Sequence, residues 1–544
     1  MTRYGLDAES RRMVVDTIRR LRLRLLPRER ILEFDRDEIF PEAVIREMLG
    51  PDVGLQLLFI PEEYGGMGGG ARDCCAVTRE MSEICLGIAT AFFAIQLGAD
   101  PILVGGTDDQ KERWLGAIAE GDTLVAYAVT EPEAGSNVAA IKTRAEPVTG
   151  DDGAVVGYRI NGTKQFISNG GAADIITLLA RTPEGPTFFV IEKGTEGLTP
   201  GKGEEKHGIR ASNTSPLTLT DVFVPSDQLI GEVPGQGLKQ ANAVFGYTRL
   251  MVAAMAQGAG DAALKIVIPY ARERIQFGEP LANRQGYTHK LVIPHVVRMA
   301  AAEAYIDAIA ERIDDGETDL EVEGSIAKLF ATEAANRLCD DAMQALGGYG
   351  YIREFEVEKI KRDVKITCIY EGTSEIQQSI ISTFRWKRTR KSKGAFYGDL
   401  AEEMEGLART ADRGAGCARL ARCARAINEL INRVHEARLT RRQTVMFAVA
   451  DAVTHLEVGA ALARRAMGMA PDDPAAERYR LMSRFFAAEV STRVADRAAY
   501  IAVGSGAFGD GSEVLSAVDH SALSVACGGV IPDADRIADI VFER

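Results

Sequence analysis

The residues best suited to chemistry lie in one short stretch, Cys368-Ile369-Tyr370-Glu371-Gly372-Thr373-Ser374-Glu375-Ile376-Gln377. Apolar residues come first, then a lone carboxylate, a glycine and two hydroxyls that can start a helix. This order predicts a helix opening at Thr373 or Ser374, with an acid in its first turn and an apolar face through Ile376, Ile380 and Ile381. Glu371 then occupies a turn just outside the helix. Partial burial there would raise its pKa and make it a stronger base. An ordinary surface turn fits the same four residues, because turns commonly carry acids and glycine.

Four further loops could bind a ligand. Tyr127 to Asn137 leaves a strand for a polar turn containing Thr130, Glu131 and Ser136, whose amides and hydroxyls could hold a heterocycle edge or a phosphate. Lys164 to Gly171 offers an aromatic face at Phe166 and a hydroxyl at Ser168. Arg272 to Gly278, with Gln285 beyond it, carries Arg274, which could clamp a pyrophosphate bidentately or simply pair with an acid. Gln344 to Tyr351 contains Gly347-Gly348, either a helix cap or a site of close backbone approach. Taken singly, each also reads as an ordinary loop.

The elements that must position these loops follow from composition and periodicity. At 544 residues the chain exceeds one core and suggests several domains, and 46% hydrophobic residues can fill them. A net charge of −14 argues against a nucleic-acid binder, which would show a basic stripe. Eight cysteines in no zinc-like spacing read as reduced thiols, and six scattered histidines form no metal motif. The Arg- and Glu-rich start lacks an apolar signal core, so a cytoplasmic location is expected. The apolar run Cys85 to Ala99 is shorter than the ~20 residues of a membrane span and reads as a buried helix.

Residues 1–121 read as helical, with Ile18, Leu21 and Leu25 at helical spacing. The glycine-rich segment Ile60 to Gly70 lacks the flanking signals of a phosphate loop and reads as a structural turn. Short alternating runs then mark a β domain over 122–234: Leu124–Val129, Val155–Ile160, Ile175–Ala180, Phe188–Ile191 and Leu217–Val224. Their spacing suits a barrel or sandwich. Helical segments at about 238–274, 284–314, 321–346 and 373–389 suggest a four-helix bundle over 235–388. Arg385 to Lys393 reads as a solvated basic linker, which could also contact an acidic partner. Residues 389–544 form an additional, alanine-rich helical domain. Gly504 to Gly509 matches GxGxxG but lacks the strand before it and the acid after it, so a turn between helices explains it better.

Taken in order, Val129-Thr130-Glu131-Pro132, Ala134-Gly135-Ser136, Phe166 to Gly170, Gly208-Ile209-Arg210-Ala211-Ser212, Arg274 to Gly278, Gln344 to Gly350 and Ile369 to Gln377 resemble the FAD-dependent acyl-CoA dehydrogenases. The resemblance covers residues 1 to about 388. It implies a mainly α fold with a central β domain and FAD wedged between β domain and bundle. Matching positions imply that Thr130, Ser136, Phe166 and Ser168 lie along the cofactor. Arg274, Phe277, Gln285, Gln344, Gly347 and Gly348 would hold its adenine and pyrophosphate half, partly from a neighbouring subunit. Thr373 and Glu375 would also touch it. Ser136, Arg249, Tyr370 and Gly372 match substrate-side positions.

Glu371 matches the catalytic base. It would remove the α-proton of an acyl-CoA, with the β-hydrogen leaving as hydride to flavin N5 to give a trans-2-enoyl-CoA. The resemblance further implies electron transfer to an electron-transfer flavoprotein. The added tail is similar to that of very-long-chain members, which favours a homodimer over a homotetramer. An acyl-CoA oxidase using oxygen keeps the same fold; a non-catalytic acyl-CoA-binding scaffold would have lost Glu371 or the flavin loops.

Three positions depart from the pattern. Gly246 replaces the Asp usually found three residues before the Arg aligned to Arg249. Glu133 replaces a small residue, and Phe166 stands where many members carry Trp. The stretch Thr90 to Gln96, with Phe92 and Phe93, would line the floor of the acyl pocket.

Overall fold

A computed structural model describes residues 5–410 and 415–544; residues 1–4, part of the expected N-terminal segment, and 411–414 lie outside it. The chain forms two compact units: Met1–Ala259 with Ala310–Leu320 and Arg362–Ile366, and Gly260–Ile309 with Glu321–Lys361 and Thr367–Arg544.

In the first unit, helix Ala8–Leu25 starts at Asp7, whose carboxylate accepts from the amides of Glu9 and Ser10, and it buries Ile18, Leu21 and Leu25. Helix Ala71–Gly105 is far longer than its apolar run alone indicates, and it breaks locally at Cys85, where φ is −164° and ψ 114°. The turn before this helix is packing, not a phosphate cradle: a Cβ at Gly66 would lie 1.9 Å from the Ile60 carbonyl oxygen, and one at Gly70 2.4 Å from Asp314 Oδ1.

The β domain is one mixed sheet of seven strands: β1 (Val125–Ala128), β2 (Arg144–Thr149), β3 (Val155–Ser168), β4 (Ile175–Thr182), β5 (Gly185–Glu192), β6 (Leu198–Pro200) and β7 (Thr214–Pro225). Strand β4 pairs in parallel with β1 and antiparallel with β5, while β3 pairs with β2 and β7. Ile160, Leu178, Phe189, Ile191, Leu217 and Val222 are fully or almost fully buried in its core. Strand β3 runs eight residues past the expected end at Ile160. Its register shifts between Ile160 and Gly162, and this bulge hides the continuing alternation. Strand β2 went unseen because only Ala145 in it is buried, so it lacks an apolar face.

The expected 284–314 segment is two helices, Gln285–Leu291 and Ile293–Asp314, divided at Val292 just ahead of Pro294, whose missing N–H interrupts the ladder. The basic 385–393 segment is not a solvated linker: most of it belongs to helix Ser374–Lys391. Arg385 is 2% exposed and donates to Glu323 at 3.0 Å and to both oxygens of Glu457 at 2.7 Å. Tyr397 donates to the same Glu457 at 3.0 Å. These bonds tie helix Glu321–Leu346 to Gln443–Gly468 of the C-terminal extension.

Helices Ala71–Gly105, Gly237–Glu273 and Gln443–Gly468 are long and apolar enough to cross a membrane by length and composition, with 83%, 67% and 78% of their most apolar windows buried inside the protein. Burial thus accounts for their hydropathy. All eight cysteines are free thiols.

Candidate active site

In the β-domain unit the end of β3 is pinned to the loop after β1 by a buried ion pair. Lys164 Nζ, fully buried, donates to Glu131 Oε1 at 2.7 Å and to the Val129 carbonyl at 3.1 Å. Glu131 also accepts from the amides of Lys142 and Thr143, and Gln165 N–H donates to the Thr130 carbonyl at 2.9 Å. Burial pushes the Lys164 amine down to about 8, against the pull of Glu131. For Glu131 burial acts upward, but Lys164 and the loop donors hold its carboxyl below the usual range.

Phe166, one residue beyond the clamp's partner Gln165, adopts φ +59° and is 64% exposed. A left-handed backbone is costly for an aromatic residue and turns its ring out of the alternation. Asn169, at φ +60°, is buried and donates to the carbonyls of Ala91 and Val125, anchoring the strand end on helix Ala71–Gly105. Ser168 is half-buried, Thr130 half-buried and Ser136 exposed. Arg249 is buried in helix Gly237–Glu273. At Gly246 an added Cβ would meet nothing within 4 Å, so packing does not demand a glycine there.

In the helical unit, Glu371 occupies the expected turn. Thr373 caps helix Ser374–Lys391, and Glu375 is in its first turn. Glu371 has φ +52° and Gly372 φ +94°, two left-handed residues in succession. Buried Lys328 donates to the Gly372 carbonyl at 2.7 Å, and buried Gln377 donates to the carbonyls of Glu371 and Gly372 at 3.1 and 3.0 Å. Ser374 donates to Glu333 at 2.7 Å. The turn is thus over-determined by three bonds to two carbonyls, and the Glu371 side chain is half-buried with Oε2 shielded from water. The signals for Lys328 and Gln377 were a lone Lys in an apolar helix and an amide one turn into the next; neither stood out from the sequence. Tyr370 is half-buried beside Glu371.

Arg274 stacks over the Tyr349 ring at 5.7 Å, and among the described residues no carboxylate pairs with it, which removes the simple ion-pair reading. Phe277, at φ +52°, is 92% exposed at the tip of a two-stranded turn, Ile275–Gln276 with Glu279–Pro280. Gln344 is exposed, and an added Cβ at Gly347 or Gly348 would meet nothing within 4 Å, leaving backbone open to a ligand. Tyr270 and Tyr287 fix this helix end by donating to the carbonyls of Leu346 and Ala345. Gln285 is engaged by the extension: its Nε2 donates to Asp535 at 2.8 Å. Glu375 is exposed on the wall of a cavity of about 440 Å³ lined also by Arg337, Asp451, His455, Arg493 and Arg497. That cavity carries as many acids as arginines, so its charge selects no ligand sign.

Residues 8–122, 126–222 and 235–384 match the N-terminal, middle and C-terminal domains of acyl-CoA dehydrogenase. An acyl-CoA dehydrogenase of Bacillus subtilis (strain 168) is 37% identical over 377 residues, 66% of this chain and 97% of the relative. The chain belongs to the acyl-CoA dehydrogenase family.

An acyl-CoA dehydrogenase from Bacillus anthracis, complexed with FAD, superposes with a TM-score of 0.85 over 99% of this chain and 95% of that one; at 24% identity this likeness shows the fold, extension included. A structure of the electron transferring flavoprotein of Acidaminococcus fermentans matches with TM-score 0.65 and 32% identity over 69% of this chain and 98% of that chain. This acyl-CoA dehydrogenase is an FAD-dependent oxidoreductase.

Its own residues fit that cofactor. The β-domain unit presents an exposed aromatic ring at Phe166 with the Ser168 hydroxyl two residues on. The helical unit presents an Arg274 guanidinium that meets no carboxylate among the described residues, an exposed Phe277 ring and an open Gly-Gly edge, which suit a pyrophosphate and a flat base.

Proposed function

We propose that this enzyme oxidises an acyl-CoA thioester to the trans-2-enoyl-CoA, with Glu371 as the base that takes the α-proton. One observation carries the assignment: Glu371 is the carboxylate held in a double left-handed turn by Lys328 and Gln377. Strain of this kind persists only where surrounding structure enforces it, and it fixes the side chain's direction. A positioned carboxylate is what proton removal next to a thioester carbonyl needs. FAD, when bound, supplies the hydride acceptor.

The remaining roles follow the same reading. Thr130, Phe166 and Ser168 contact the flavin; Arg274, Phe277, Gln285, Gln344, Gly347 and Gly348 hold the adenine and pyrophosphate half; Thr373 and Glu375 also touch the cofactor. Ser136 contacts both cofactor and substrate, and Arg249, Tyr370 and Gly372 serve the substrate. The likeness to a structure of an electron transferring flavoprotein supports such a protein as the electron acceptor. The reading includes a cytoplasmic homo-oligomer, a homodimer or homotetramer, with the extension favouring the dimer.

The test is an anaerobic titration of the yellow holoenzyme with acyl-CoA thioesters of graded chain length and branching. Bleaching of the flavin by at least one thioester, with slow recolouring in air, is the expected result. No bleaching across the panel would overturn the proposal, and fast recolouring in air would make the enzyme an oxidase.

A further inference from the structure

The C-terminal extension reaches the turn that carries the adenine-side residues. Helix Val530–Phe542 is bolted at its start to helix Ala476–Ala502, where Arg484 forms a two-pronged pair with Asp533. Arg536 adds a second tie to that helix by donating to Glu477 at 3.0 Å, and the C-terminal residues also reach residues 272–289. Asp535 Oδ1 accepts from Gln285 Nε2 at 2.8 Å and lies 3.1 Å from His289 Nε2. Arg272 donates to the Val541 carbonyl at 3.2 Å and pairs with Glu543 at 3.1 Å. Arg544 donates to the Ala282 carbonyl. The extension thus grips the turn on both sides of Arg274 and Phe277.

The Gln285 contact has a chemical consequence. An ionised carboxylate only accepts hydrogen bonds, so the amide must offer Asp535 its NH2 group. The orientation is fixed by the partner, which removes the usual ambiguity between amide nitrogen and oxygen. Gln285 Oε1 is left as the group available to a ligand, and it can only accept. An exocyclic amine, such as N6 of adenine, matches that acceptor; the carbonyl of hypoxanthine repels it.

We propose that Asp535 is a positioning residue for the cofactor: through Gln285 it makes the extension part of the adenine site and sets its preference for an amino-bearing purine. The proposal rests on the reading that Gln285 serves the adenine half of FAD.

The experiment reconstitutes full-length apo-protein with FAD or with its hypoxanthine analogue, following flavin fluorescence, for wild type, D535A, D535N, Q285L and the D535A/Q285L double variant. D535A is expected to weaken FAD binding about tenfold and to shrink the preference over the hypoxanthine analogue, with the melting temperature of the apo-protein unchanged. D535N, which retains an oxygen acceptor, is expected to recover FAD affinity to within about threefold of wild type. In the Q285L background, D535A should add nothing, because the two residues act as one unit.

The proposal is overturned if D535A binds FAD as wild type does, if it weakens both cofactors equally, or if it still weakens binding when Gln285 is gone. A Q285L variant that handles both cofactors like wild type would instead remove the adenine reading of Gln285 itself, whatever D535A does.

Discussion

Glu371 shows how a single side chain is aimed by its backbone. Its φ of +52° and that of Gly372, +94°, are held by Lys328 and Gln377. The same device recurs at Phe166, Asn169 and Phe277, all non-glycine residues with positive φ in the loops read as ligand-binding. The Lys164–Glu131 pair pins the strand just ahead of Phe166. Its energy is tested by removing one partner. K164M leaves the Glu131 carboxylate charged in a buried loop, and a loss of about 3–5 kcal/mol in unfolding free energy is expected by denaturant titration. K164M combined with E131Q should recover part of that loss, since no buried charge remains. Equal losses in the single and double variants would show that the pair's charge is not what holds the loop.

At the scale of elements, the extension is fastened to helix Glu321–Leu346 by a buried cation. Arg385 satisfies Glu323 and Glu457 together, and Tyr397 completes the network. R385M strands the buried Glu323 carboxylate and the mostly buried Glu457 carboxylate, so we expect a loss of about 3–5 kcal/mol and an earlier unfolding step, read by calorimetry. R385K, which keeps the charge but loses the planar fork, should fall between wild type and R385M. An R385M protein as stable as wild type would contradict the network's role.

The sequence misread this element for a physical reason. Six basic residues in nine normally mark a solvated segment, and nothing local announces that one of them meets carboxylates 62 and 72 residues away. Where a signal was local, it was legible: Thr373 caps its helix as its type and place suggested, and Ile18, Leu21 and Leu25 face inward as their spacing required. The turn at Glu371 was readable as a turn, but its two left-handed residues were not, because only Gly372 advertises such a backbone. Lys328 and Gln377, which enforce it, are recognisable only once the helices are packed. Asp535, 250 residues from Gln285, belongs to the same class.

For the whole molecule, pH acts through buried titratable groups in the helical unit. Burial holds the His455 and His295 imidazoles below their ordinary range. Their unfolded counterparts take up protons as pH falls through about 6.5, while the folded chain resists, so stability falls as the solution is acidified. Asp451 is depressed as well: burial acts upward, but His455, Arg493 and Arg497 outweigh it. Its contribution is present above the usual carboxylate range and is lost as pH falls below about 4. Melting temperature should therefore drop steadily from pH 7.5 to 5, with H455F flattening the slope. A melting temperature constant over that span would mean that these histidines are protonated in the fold.

The central claim is that Glu371 removes the proton that starts oxidation. The most direct measurement is the anaerobic bleaching rate of E371Q mixed with a thioester that bleaches the wild type. Full FAD content with a rate at least ~10³-fold lower is the expected result, the scale on which a positioned base acts. Bleaching at the wild-type rate in flavin-loaded E371Q would contradict it and move the base to another side chain, with Glu375 the first to replace.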